Sequence, residues 1–154
     1  MNTVVTGKLL AAALIAAGVA FAPALSYAQP ATKAAATKNT EKYKVVLQVS
    51  DNDPAKWNLA LNNARNVQAD LGKDNVQVEI VAYGPGLGML KGDSKVADRL
   101  ADALDHDVGL MACENTMRNT KVGKGDMYSG IAYVDAGVVH IIKRQREGWG
   151  YVRP

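Results

Sequence analysis

At 154 residues, with a formal net charge of +3 and a single cysteine, the chain has room for one domain with its own core and no material for an internal disulfide framework. Lys8, Lys33, Lys38 and Lys42, against the one acid Glu41, all precede residue 43, so residues 43–154 carry equal numbers of acids and bases and no field suited to nucleic acid. The only histidines, His106 and His140, stand 34 positions apart, no set of Cys, His, Asp and Glu has recognisable zinc spacing, and no metal site is expected.

Residues 1–28 have the layout of a secretory signal: Lys8, an apolar run from Leu9 to Phe21, and a small-residue ending Ser26-Tyr27-Ala28. The run is short of the roughly 20 apolar residues that span a bilayer, and Pro23 closes it. Cleavage after Ala28 and a periplasmic location without a stable membrane anchor are the expectation. Residues 29–42 lack large apolar side chains and read as a flexible leader, which leaves residues 43–154 as the folded domain.

The run Lys44 to Val49 is almost continuously apolar, as in a strand covered on both faces. Asp53 before Pro54 reads as an N-cap, and Trp57, Leu61, Ala64, Val67 and Leu71 recur on one face until Gly72. Val76 to Ala82 alternates with polar Gln77 and Glu79, which predicts a partly exposed strand near an edge. A glycine-rich turn, Tyr83 to Gly88, precedes a helix capped near Ser94 with Val96, Leu100, Ala103 and Leu104 inward. Val108 to Ala112 predicts a third strand, Asn115 to Lys121 a short helix, and Ile131 to Val134 a fourth strand. Gly137 to Glu147 reads as a helix with Val138, Ile141 and Ile142 inward and a solvated basic end, Lys143-Arg144-Gln145-Arg146; Trp149 to Val152 closes the pattern as a strand.

Alternating strands and helices predict an α/β fold, a single three-layer α/β/α domain on a largely parallel sheet of about five strands. The crevice of such a sheet lies beyond the carboxyl ends of its strands. That edge should gather Asp51 and Asn52, the glycines Gly84, Gly86 and Gly88, the segment Cys113 to Thr116, and Asp135 to Gly137. The glycine loop could cradle a ligand, but it lacks Rossmann or P-loop spacing and equally suits a tight turn. Asp51 could serve as an acid or base, although helix capping also accounts for the polar cluster around it.

Cys113 stands where an apolar strand gives way to a polar helix start. An unpaired cysteine in an exported chain is a buried inert thiol, an intermolecular bridge or a reactive group. Helix-start N–H groups favour a thiolate there, whereas the neighbouring Glu114 opposes it, so a thiol of ordinary acidity, near 8.5, is expected.

The strand Lys44 to Val49, the loop Tyr83-Gly84-Pro85-Gly86, the block Ala112-Cys113-Glu114-Asn115-Thr116-Met117 and the ending Gln145-Arg146-Glu147-Gly148-Trp149-Gly150-Tyr151-Val152 together resemble the DsrE-like (DsrE/DsrF) family. The resemblance spans the whole of residues 43–154. It implies a compact α/β/α fold, assembly as a homo-oligomer such as a trimer or hexamer, and a cysteine, here Cys113, that accepts a persulfide in a sulfur relay. On that basis Asn115 and Thr116 are expected to hydrogen-bond the thiolate or persulfide, a sulfur donor or acceptor protein is the partner, and no cofactor is required. The alternative is a non-catalytic periplasmic oligomer that binds a small ligand or a partner protein in the same crevice, with Cys113 as packing. Trp149 and Tyr151 suit either an oligomer contact or a strand packed on the core.

Overall fold

The computed structural model describes residues 41–154; the expected signal segment and the leader up to residue 40 lie outside it. Nine regular elements follow in order: β1 (Tyr43–Val49), α1 (Pro54–Leu71), β2 (Val76–Ala82), α2 (Ala97–Asp105), β3 (Gly109–Cys113), α3 (Glu114–Thr120), β4 (Ala132–Val134), α4 (Gly137–Arg146) and β5 (Gly150–Val152) among the described residues. Five strands form one all-parallel sheet in the order β4-β3-β2-β1-β5. This is the single α/β/α domain that the alternation of elements predicts. No helix of the described residues is long and apolar enough to cross a membrane.

Connectivity dictates the layers. From β1 to β4 the chain steps one strand at a time in one direction, and right-handed crossovers then place α1, α2 and α3 on the same face. Their apolar sides, including Trp57, Leu61, Leu100 and Met117, meet Leu47, Ile80, Leu110 and Ala112 in the main core. From β4 the chain returns across the sheet to pair β5 with the free side of β1, so α4 alone covers the opposite face. Its core is small: Val46, Val81, Ile141 and Trp149.

The N-terminus of α1 forms as its sequence implies. Asp53 accepts the Ala55 N–H at 2.8 Å, Pro54 occupies the first turn, and Gly72 at φ +87° ends the helix. The Trp57 indole donates to the Asp51 carbonyl at 2.8 Å, which ties the β1–α1 loop to the core.

Three sequence expectations are corrected. β2 is the central strand, not an edge strand, and its Glu79 is buried against α4. Only Gly137 and Ile141 of α4 are buried, whereas Val138 and Ile142 are each about half exposed. Arg144 does not belong to a solvated helix end: its guanidinium grips Glu79 through Nε at 2.9 Å and Nη2 at 2.6 Å, and it lies over the Trp149 ring at 4.7 Å. The segment Gly84–Leu90 is a 3-10 turn whose Leu87, Met89 and Leu90 are buried, in keeping with the tight-turn reading of the glycine loop.

Candidate functional site

Adjacent strands β3 and β4 send the chain to opposite faces, β3 into α3 and β4 into α4. This is the switch point at which an open parallel sheet forms its crevice. Cys113 occupies it, as the last residue of β3 and the N-cap of α3. Its Sγ accepts the Thr116 N–H at 3.4 Å from α3 and the Gly137 N–H at 3.2 Å from α4. Helix starts on both faces of the sheet therefore converge on one sulfur.

Thr116 is itself held in place. Its buried hydroxyl oxygen accepts the Gly84 N–H at 2.9 Å, where Gly84 adopts φ +53°. The start of α3 is also tied to the end of β4 by the Asn115 N–H, which donates to the Asp135 carbonyl at 3.0 Å. Burial pushes the Cys113 thiol up, but the Thr116 hydroxyl and the N–H groups of Gly137, Thr116 and Asn115 around it outweigh burial and hold the thiol below its ordinary value. Glu114, expected to oppose the thiolate, pairs its carboxylate with Lys124 at 2.9 Å.

Tyr83, at the end of β2, completes the surroundings and was not singled out from sequence. Burial raises its hydroxyl above the ordinary phenol value, with Tyr151, Asp51 and Cys113 adding to the effect and Arg153 opposing it. It is thus neutral at physiological pH. The sequence signal that could have found it is an aromatic residue directly after an interior strand, on the edge that carries the cysteine. Gly137 was read as a helix start on the same edge; that its N–H donates to the sulfur depends on a contact across the sheet.

The remaining predicted residues divide between two places. Asn115 and Thr116 adjoin Cys113, and Gly84 reaches it through Thr116. Asp51, Asn52, Gly86 and Gly88 gather at the end of β1. There Asp51 pairs with Lys56 at 3.1 Å and Arg153 at 3.7 Å, and chiefly the Lys56 hydrogen bond keeps its carboxyl below the usual range. Gly86 lies on the backbone of Val49 and Ser50, and Gly88 on Asn52 and Trp57. No group of three or more His, Cys, Asp or Glu side chains among the described residues could hold a metal ion. His140 is paired with Glu79, and His106 with Asp102.

Gly137 offers a direct check of this geometry. A Cβ there would stand 3.0 Å from Cβ and Cδ1 of Tyr83, so Gly137→Ala is expected to lower stability by about 1–3 kcal/mol, read by urea unfolding. Adding Tyr83→Ala should make the pair less destabilising than the sum of the single changes, since the Cδ1 contact goes with the ring while the Cβ contact stays. Strict additivity would show that the two residues do not press on each other.

A protein of unknown function from Methanobacterium thermoautotrophicum, MTH1491, has a solved structure that superposes with a TM-score of 0.70; at 36% sequence identity it matches 73% of this chain and 100% of its own. The chain belongs to that protein's family. A second protein of unknown function, BT1422 from Bacteroides thetaiotaomicron, is 13% identical over 72% of this chain and 94% of its own, with a TM-score of 0.58, and shares the fold. No protein-family model matches the chain, and no curated protein does.

Proposed function

We propose that this chain is an exported, periplasmic DsrE-like protein that carries sulfane sulfur on Cys113. The observation that carries the reading is the pair of N–H groups, from Thr116 and Gly137, that converge on Sγ at the switch point of the sheet. Two donors from separate elements stabilise negative charge on sulfur, the property a carrier thiol needs both to attack and to leave. The Cys113 thiolate attacks the outer sulfur of a donor persulfide; the new S–S bond forms as the donor's own S–S bond breaks, and the donor departs as a thiolate. An acceptor thiolate then attacks the outer sulfur on Cys113 and releases the Cys113 thiolate. Sulfur moves at its original oxidation level, without an external oxidant and without a cofactor.

Homo-oligomerisation, as a trimer or hexamer, belongs to the same reading. It is supported by the outward-facing Val138, Val139 and Ile142 of α4 and Tyr151 and Val152 of β5, apolar groups left on the less covered side and edge of the sheet. Light scattering at micromolar concentration is expected to give a multiple of the monomer mass. A monomer throughout would remove the assembly and any site shared between subunits.

One observation favours the alternative of a non-catalytic binding module. Cys113 retains only 4% of its surface, as a packed residue would. The mass of the mature protein isolated from the exported fraction separates the two: a species heavier by one sulfur atom and sensitive to a thiol reductant is the expected result. An unmodified mass after exposure to a persulfide donor, together with no alkylation of the folded protein, would sink the carrier reading.

A further inference from the structure

The structure contains a second buried polar cluster that the sulfur chemistry does not use directly. Glu79, 7% exposed in the middle of the central strand, accepts two hydrogen bonds from Arg144 and lies 2.8 Å from His140 Nε2. Room for it is made by Gly109 on the neighbouring strand: a Cβ there would stand 3.1 Å from Glu79 Cγ. Arg144 is further braced by Glu147 at 2.8 Å.

A buried ion pair is weak evidence for net stability, because desolvation offsets most of the attraction, but its geometry can select one arrangement over others. Selection matters at α4. With Ile141 as its only buried side chain, the helix has little apolar contact to prevent it sliding or rolling on the sheet. Gly137 packs on Tyr83 just past the carboxyl end of β2, while Arg144 holds Glu79 in the middle of the strand. The helical distance from Gly137 to Arg144, about 10 Å, is close to the roughly 13 Å from Glu79 to Tyr83 along the strand. The helix is therefore pinned at two points of one strand, its middle and its carboxyl end. His140, a single turn from Gly137 and hydrogen-bonded to the Ala136 carbonyl at 2.9 Å, ties the first turn to the same carboxylate.

We propose that Glu79, acting through Arg144 and His140, is a positioning residue for Cys113: it sets the register of α4 so that the Gly137 N–H meets Sγ. The inference rests on Cys113 working as a thiolate. The groups around the sulfur are the Thr116 N–H and hydroxyl and the Asn115 N–H from α3 and the Gly137 N–H from α4, with Tyr83 packed against Gly137; of these elements, α4 is the one that carries the partners of Glu79.

The test is the rate of bromobimane alkylation of the folded full-length chain across pH, with thermal unfolding in parallel, for the wild type, Glu79→Gln, Arg144→Lys and Glu147→Gln. In Glu79→Gln the thiol should react about tenfold more slowly below its titration midpoint, the equivalent of losing one hydrogen bond to a charged sulfur, and the whole profile should move to higher pH. Arg144→Lys keeps one charge opposite Glu79 but loses the two-pronged contact, so it should lie between. Glu147→Gln, which removes only the brace on Arg144 and leaves its grip on Glu79, should move the profile least of the three. A folded Glu79→Gln protein with the wild-type profile would overturn the proposal while leaving the thiolate site standing. A wild-type thiol that labels only after denaturation, or with the pH profile of a free cysteine, would overturn both. Should Glu79→Gln not fold, Arg144→Lys decides by the same comparison, and an unchanged profile there overturns the proposal.

Discussion

Cys113→Ser is expected to abolish sulfur loading completely, with no added mass after treatment with a persulfide donor, while leaving the fold intact. The side chain keeps its volume class and gains a hydroxyl that can accept the same Thr116 and Gly137 N–H bonds. The same substitution should uncover a pH-dependent contribution to stability. The thiol is held below its ordinary value in the folded protein, so between that lowered value and the roughly 8.5 of an unfolded cysteine the unfolded chain binds more protons. Wild-type stability must therefore rise relative to Cys113→Ser as pH increases through this window. It should level off above the unfolded value and fall back as pH drops through the folded one. Urea unfolding of both proteins across pH measures the difference; a gap that stays constant would mean that the converging N–H groups do not stabilise a thiolate.

Gly86→Ala should be the most damaging single-methyl addition among the glycines of the 3-10 turn, costing about 3 kcal/mol. A Cβ there would stand 2.4 Å from the Val49 carbonyl oxygen and 2.7 Å from its carbon, and backbone cannot rotate out of the way as a side chain can. The displaced turn also carries Gly84, whose N–H orients the Thr116 hydroxyl, so alkylation of Cys113 should slow in the same protein. Gly88→Ala, with its nearest contacts at 3.3 Å and 3.4 Å on the Asn52 and Trp57 side chains, should cost well under half as much. Equal losses at the two positions, measured by urea unfolding, would contradict this account of how the turn packs on β1.

The local pattern of the chain determined the elements and their order. The apolar β-branched run of β1, the Asp53-Pro54 start and Gly72 stop of α1, and the place of Cys113 between a strand and a helix are properties of neighbouring residues, and short-range sterics and hydrogen bonding settle them. Alternation of strands and helices likewise made a parallel sheet legible, and with it the gathering of Cys113, Thr116 and the Gly84 loop on one edge. Strand order was not legible, because it depends on which crossover turns back, and that is decided by the summed packing of two faces. Once β2 becomes the central strand, a glutamate that reads as a solvent-facing residue is buried, and an arginine that reads as part of a basic helix end becomes its partner 65 positions away. The inward set of α4 was misread for a related reason: a lone helix covering one face of the sheet rests on a narrow strip, and the usual apolar stripe of Val138, Ile141 and Ile142 exceeds what that strip can bury. The acidity of Cys113 also belongs to the tertiary structure. Sequence places Glu114 beside the sulfur, but three-dimensional packing turns that carboxylate to Lys124 and brings up the Gly137 N–H, 24 positions away, in its stead.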